Sequence, residues 1–375
     1  MDKLFHPLYG YPLAALELVR GLLRSLAYLR LDHRPRPGGA ISPDFFGVNV
    51  APGEDPQTDD YLLARLAELG LRQVRMDFSY TSIGGHAERL LRRLLDADMA
   101  VMLNVLPPAS EAEVLHEDAE VQQRWGHFLD RLFERYGASV ACFEIGNTPN
   151  RGKWSGFSSR SFVMAWHIAQ RCAEGRGLSL AGPNVSDFEP LYNATYLGLL
   201  GHLGAVPAVH TDNLFVERVV EPEAFDHRVL GRLAKDLLKL NLVKKARVLQ
   251  AIGEHAGCNE SQCTYTCWTI KRLSRRFAQP EQKRVDYLVR YLALAACSNA
   301  LSRVYWGPLV CSRDGLIDDG ADGYPVIDQV SFYEKIRGGR DGFKPTAAFQ
   351  ALSHTVQRLG GAHCSAIVHR PQDLS

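Results

Sequence analysis

The chain has 375 residues, and its 43 Lys and Arg nearly balance 42 Asp and Glu, leaving a formal charge of +1. Such balance gives no global attraction to nucleic acid, while 46% hydrophobic residues suffice for one large core. No short-period repeat, low-complexity tract or uncharged apolar run of about 18 residues is present, which excludes a solenoid, a disordered chain and a spanning helix.

The first predicted element is an amphipathic helix over 13–31. Leu16, Val19, Leu23 and Leu26 share one face, and Glu17, Arg20 and Arg24 share another. These charges interrupt the apolar stretch that a signal peptide requires. Two roles fit such a helix: padding one end of a domain, or anchoring at a membrane surface. Arg30, Arg34 and Arg36 follow it, and Pro35, Pro37, Gly38 and Gly39 end the segment. Residues 1–39 therefore read as an extension and 40–375 as one domain.

From there strand-like and helix-like segments alternate. Strands are expected over 45–50, 72–78, 100–106, 140–146, 178–183, 205–216, 247–253 and 303–306. Helices are expected over 58–69, 86–95, 121–136, 161–172, 189–200, 230–242, 282–298 and 345–359. The strands read as short apolar runs, as strands buried on both faces do. Eight strand–helix pairs is the count of a (β/α)8 TIM barrel. An open doubly wound sheet is the alternative, but no Gly-rich strand-to-helix turn supports a dinucleotide site. No cofactor is expected.

In a barrel, chemistry sits at the carboxyl ends of the strands. The polar residues expected there are Asn49, Arg75, Asp77, Asn104, Glu144, Asn147, His210, Asp212 and Glu254, with Trp306 beside them. Retaining hydrolysis of a glycoside needs two carboxyl groups roughly 5 Å apart, one acid/base and one nucleophile.

Two further clusters have a bland reading and a sharper one. His255, Cys258, Cys263 and Cys267 lie close in sequence, but their spacing lacks the C-x2-C pairs usual for zinc. No metal is assigned, and the eight cysteines read as free thiols of a reducing compartment. Between 228 and 290, fourteen Lys and Arg face five Asp and Glu. That is a solvated basic face, or a contact for an anionic membrane surface or glycan. It carries no nucleic-acid reading module. These features suit a cytoplasmic protein, peripheral at the inner membrane face.

Residues 43–360 resemble the clan A glycoside hydrolases, nearest the β-xylosidase and α-iduronidase family and related exopolysaccharide endoglycosidases. In these, strand four ends in a motif similar to Phe143-Glu144-Ile145-Gly146-Asn147-Thr148-Pro149-Asn150. The resemblance implies that Glu254, in Ala251-Ile252-Gly253-Glu254-His255, is the nucleophile at the end of strand seven. It makes Arg75 the nucleophile's partner and Trp306 a residue that stacks on sugar. Asn147, His210 and Asn104 become sugar contacts, and Glu144 a buried support. Thr148 stands where the acid/base glutamate is expected, and a threonine hydroxyl is too weak an acid for that role. Loss of positioned acid/base help costs about 10² to 10⁴ in rate. Two readings follow. One is a hydrolase acting on a cell-surface polysaccharide or lipid-linked glycan. The other is a degenerate barrel that binds a glycan or a partner at a membrane surface.

Overall fold

The computed structural model describes residues 7–214, 219–323 and 335–365. Eight parallel strands close into a barrel in chain order. They are β1 (Phe46–Asn49), β2 (Gln73–Phe78), β3 (Ala100–Val105), β4 (Cys142–Ile145), β5 (Leu180–Ser186), β6 (Val209–Asn213), β7 (Glu260–Thr266) and β8 (Arg303–Pro308). The chain is a (β/α)8 barrel, as the alternation predicts.

The longer helices are α1 (Pro7–Tyr28), α2 (Gln57–Leu69), α3 (His86–Asp96), α4 (Ala119–Tyr136), α5 (Ser159–Ala173), α6 (Pro190–His202), α7 (Leu242–Ala256), α8 (Pro280–Ala296) and α9 (Ala347–Leu359). Helix α1 precedes the barrel and packs on α6 and α7. It confirms the predicted N-terminal helix, placed outside the ring of helices rather than under the barrel floor.

One strand falls elsewhere than expected. Residues 247–253 are not β7; they belong to α7. Leu242, Val243, Ala246, Leu249, Ile252 and Gly253 form its buried stripe, at helical spacing. The Asn241 side chain caps the helix by accepting from the Lys244 N–H, and Gly257, with φ 99°, ends it in the left-handed region. The segment 230–242, expected to be the helix, holds one short π-helical turn at Leu233–Leu237 instead. The true β7 reads Glu-Ser-Gln-Cys-Thr-Tyr-Thr. It escaped an apolar-run criterion because polar Gln262 and Thr264 occupy alternate positions, both buried.

Two layers fill the barrel interior. Met102, Cys142, Ala181, Val209 and Tyr305 form a small apolar cluster of their own. Tyr305 crosses this floor because β1 offers Gly47 opposite it. A Cβ at Gly47 would lie 2.6 Å from the Tyr305 ring. Nearer the carboxyl ends the filling turns polar, with Asn49, Arg75, Asn104 and Glu144 all buried. A second, larger apolar layer lies between the strands and the helices.

Candidate functional site

The polar layer is organised by Arg75. Its Nε donates to Glu144 Oε2 (2.7 Å), and its second terminal nitrogen reaches the same oxygen at 2.7 Å. The other terminal nitrogen donates to Asn49 Oδ1 (3.0 Å) and Asp77 Oδ1 (3.3 Å). Burial alone would disfavour the guanidinium charge, but Glu144 and Asp77 beside it hold the Arg75 pKa above the ordinary arginine value. Asn49 in turn donates to the Trp306 carbonyl (2.9 Å) and to the Thr264 carbonyl (3.3 Å). One arginine thus links β2 to β4, and through Asn49 to β7 and β8.

Asn104 braces the end of β4. Its Nδ2 donates to the Gly146 carbonyl (2.7 Å) and the Glu144 carbonyl (3.4 Å). The loop beyond β4 is then fastened to β5. The Thr148 N–H donates to the Asn184 carbonyl (3.0 Å). Asn150 and Ser186 exchange two hydrogen bonds of 2.9 Å. Arg151 spans to Asp187 (2.7 Å) and Glu189 (3.1 Å). Thr148 has φ 41°, an uncommon state for a β-branched residue that costs roughly 1–3 kcal/mol. The staples on either side hold it there, so the loop bearing Asn147 and Thr148 is fixed in advance of any ligand.

Several acceptors in this region have no hydrogen-bond partner. They are Glu144 Oε1, Asn104 Oδ1 and Asn147 Oδ1. Both side-chain polar atoms of Asn184 share that state. Asn147, Thr148 and Asp77 are half-buried, so the rim stays partly open above the buried Arg75–Glu144 pair.

The structure moves three expected site residues away. Glu254 is exposed near the C-terminal end of α7, with its carboxylate accepting from Gln250 (2.9 Å). Helix α7 leads into the start of β7, so Glu254 lies at the amino ends of the strands, opposite the chemistry-bearing face. It is not at the end of a strand, and Arg75 does not pair with it. Trp306 faces outward, not into the mouth. It packs 6.1 Å from Trp268 and 6.2 Å from Tyr291, ring centre to ring centre, in the layer between strands and helices. The parity is set by Tyr305, which takes the inward position.

His210 also faces outward. It lies 2.7 Å from Asn193 Oδ1 on α6 and 3.3 Å from Ser261 Oγ, against Gly253 of α7. Burial pushes its pKa down to about 4, so the ring is neutral. Asp212, two residues on, accepts from Asn193 Nδ2 (2.8 Å). Burial, with Asp187 and Glu189 nearby, raises its pKa well above the ordinary value although the Asn193 bond opposes this. The pair is a packing device behind β6 and does not enter the barrel mouth.

Residues that the sequence reading passed over now take those places. The true β7 ends in Thr264, Tyr265 and Thr266, with Thr264 Oγ1 donating to Asn213 Oδ1 (3.2 Å). Tyr265 is half-buried there, its hydroxyl 3.1 Å from Cys267 Sγ. No carboxylate stands at this strand end. The N-cap at Asn241 and the glycine at Gly257 were the available signals, since together they make 242–256 a helix.

The cysteine cluster does not converge. Cys258, Cys263 and Cys267 are each buried, and burial pushes each thiol up to about 12, away from the thiolate that a metal needs. His255 lies exposed on α7. Among the described residues no three His, Cys, Asp or Glu gather as a ligand set, and all eight cysteines are free thiols.

Comparison with solved structures places this architecture. A glucosidase from Croceicoccus marinus superposes with a TM-score of 0.62 at 14% identity, over 87% of this chain and 69% of that one. A family 39 glycoside hydrolase from the gut symbiont Bacteroides cellulosilyticus gives 0.59 at 13% identity, over 88% and 64%. The chain therefore spans about two thirds of the length of either enzyme. No family model matches the sequence, and no curated protein matches it. At such identity the likeness establishes a shared fold, the closed (β/α)8 barrel, and nothing of substrate or activity.

Proposed function

We propose that the barrel mouth binds carbohydrate without hydrolysing it by the two-carboxylate route. The supporting observation is the chemistry of its polar layer. Glu144 Oε1, Asn104 Oδ1 and Asn147 Oδ1 are buried acceptors that no protein donor satisfies. A buried acceptor without a donor is costly, and sugar hydroxyls supply donors at close spacing. The shared fold with two glycoside hydrolases agrees with this ligand class. Against hydrolysis stand Thr148 at the end of β4 and the absence of any carboxylate at the end of β7. Asp77 and Glu144, on β2 and β4, are both committed to Arg75, and Asp187 and Glu189, just beyond β5, to Arg151. The natural ligand of this reading is a cell-surface polysaccharide or a lipid-linked glycan.

Titration calorimetry against neutral and acidic oligosaccharides, alongside an aryl-glycoside turnover assay, tests the reading. Saccharide binding is expected in the wild type, with turnover at background. Asn147→Ala, on a half-buried rim residue, should weaken binding about tenfold, the loss of one hydrogen bond of roughly 1.4 kcal/mol, at unchanged stability. Hydrolysis by the wild type would overturn the non-catalytic assignment. Failure to bind any saccharide would overturn the ligand class.

A further inference from the structure

Helix α1 is turned the wrong way for a helix that serves only to pad a core. Its inner seam, Glu17, Gly21 and Ser25, repeats every four residues and is buried. Gly21 lets α6 approach closely; a Cβ there would meet Ala194 at 3.1 Å. Glu17 is 2% exposed and bonds to Arg20 (2.7 Å) and to His202 of α6 (3.0 Å). The apolar residues point the other way. Leu16, Leu18, Val19, Leu22, Leu23 and Leu26 are each 43–63% exposed. At 100° per residue they sweep about half the helix circumference, and Ala15 and Ala27 complete the arc. The helix buries its polar seam against protein and presents its leucines outward, the reverse of a surface helix of a globular domain.

Two observations identify what meets that face. The first is charge. Glu17 is the sole acid on α1, and it is buried; Arg20 and Arg24 edge the apolar arc, and Arg30 and Arg34 follow, exposed. A second patch also sets apolar beside basic side chains, with one exposed acid, Asp236, among them. Val229, Leu233 and Leu237 are 46–72% exposed beside exposed Arg232, Lys235 and Lys239. It is tied to the segment leaving α1 by Asn241, which donates to the His33 carbonyl (3.0 Å), and by the edge contact of His33 with Phe225 (5.2 Å). The second observation is a cleft of about 300 Å³ between α1, α6 and α7. Glu17, Arg20, Arg24, Tyr28, His202 and His255 line it. Arg24 makes no hydrogen bond or ion pair with a described residue, and Glu17 is held by Arg20 and His202. A cationic cleft beside an apolar face matches a phosphate headgroup beside its acyl chains.

We infer that α1 and the 229–239 patch form a docking surface for an anionic phospholipid bilayer, with the Arg20–Arg24 cleft receiving a headgroup. The helix lies on the membrane and does not cross it: no described helix is long and apolar enough to span. A helix lying in the interface buries one apolar face and gains from anionic lipid. The inference is independent of what the barrel mouth binds.

Vesicle flotation tests it, using phosphatidylcholine alone and an equal mixture with phosphatidylglycerol. The wild type should float with the mixed vesicles at least about tenfold more than with phosphatidylcholine, and less as salt rises. L22S/L23S, on exposed side chains, should abolish flotation with the unfolding midpoint unchanged, and R24E should reduce it several-fold. A wild type that stays unbound with both vesicle types overturns the proposal. So does a dimer in light scattering that L22S/L23S dissociates, which would assign the face to a second copy of the chain.

Discussion

The barrel mouth divides into two halves of different chemistry. On the β1–β4 side, Asn49, Arg75, Asp77, Asn104 and Glu144 form one connected polar network, nearly all of it buried. On the β5–β8 side the strand ends carry Asn213, Thr264 and Tyr265, with Trp306 and His210 turned outward. On the proposed reading, the first half holds the residues that would contact sugar. The second lacks the carboxylate that would attack. The proposed binding needs the first half alone; a double-displacement reaction would need both.

If the β1–β4 network is the structural centre of the mouth, breaking it should have the largest effect. Glu144→Ala leaves Arg75 buried with only Asp77 to offset its charge. Removing one partner of a buried pair costs about 3–5 kcal/mol, which urea denaturation would measure. The double variant Arg75→Met/Glu144→Ala removes both charges and should recover much of that loss, since an apolar replacement of a buried pair is often close to neutral. A Glu144→Ala effect below about 1 kcal/mol would show that the network does not brace the barrel.

The contrast between the halves also explains what the sequence reveals. The strands of the β1–β4 half were legible as short runs carrying Arg75, Asn104 and the Glu144–Asn150 motif, although Arg75 pairs with Glu144 and not, as expected, with Glu254. The β5–β8 half was not, for two physical reasons. Strand β7 carries polar Gln262 and Thr264 in place of an apolar run, whereas the apolar stripe of α7, just before Glu254, reads as one. Tyr305 and Trp306 are adjacent aromatics on one strand, and alternation sends one in and one out. Composition cannot choose between them. Register can: Gly47 on β1 faces Tyr305, and the missing side chain makes room for the tyrosine ring and no other.

That parity yields the second test. Trp306→Phe removes part of a buried indole packed on Trp268 and Tyr291, and should cost about 1–3 kcal/mol while leaving saccharide affinity unchanged. Were Trp306 a stacking platform in the mouth, the same substitution would lower affinity with little effect on stability. Measuring both quantities on one variant separates the two halves of the molecule: strand-end residues that face ligand from those that face helices.

The smallest effect is expected at Glu254, and its smallness is informative. The side chain is exposed on α7, bonded among the described residues only to Gln250 one turn earlier on the same helix. Exposed contacts of this kind contribute at most a few tenths of a kcal/mol. Glu254→Gln should therefore shift neither the unfolding midpoint nor saccharide binding beyond error. Any turnover present in the wild type should persist in it. The substitution would abolish turnover if this glutamate were the nucleophile, so one assay on one variant decides whether the seventh strand end or the outer helix carries that residue. An unchanged variant would leave the end of β7 without a carboxylate, and on the proposed reading the saccharide's contacts resting on the β1–β4 half and the stapled loop of Asn147 and Thr148.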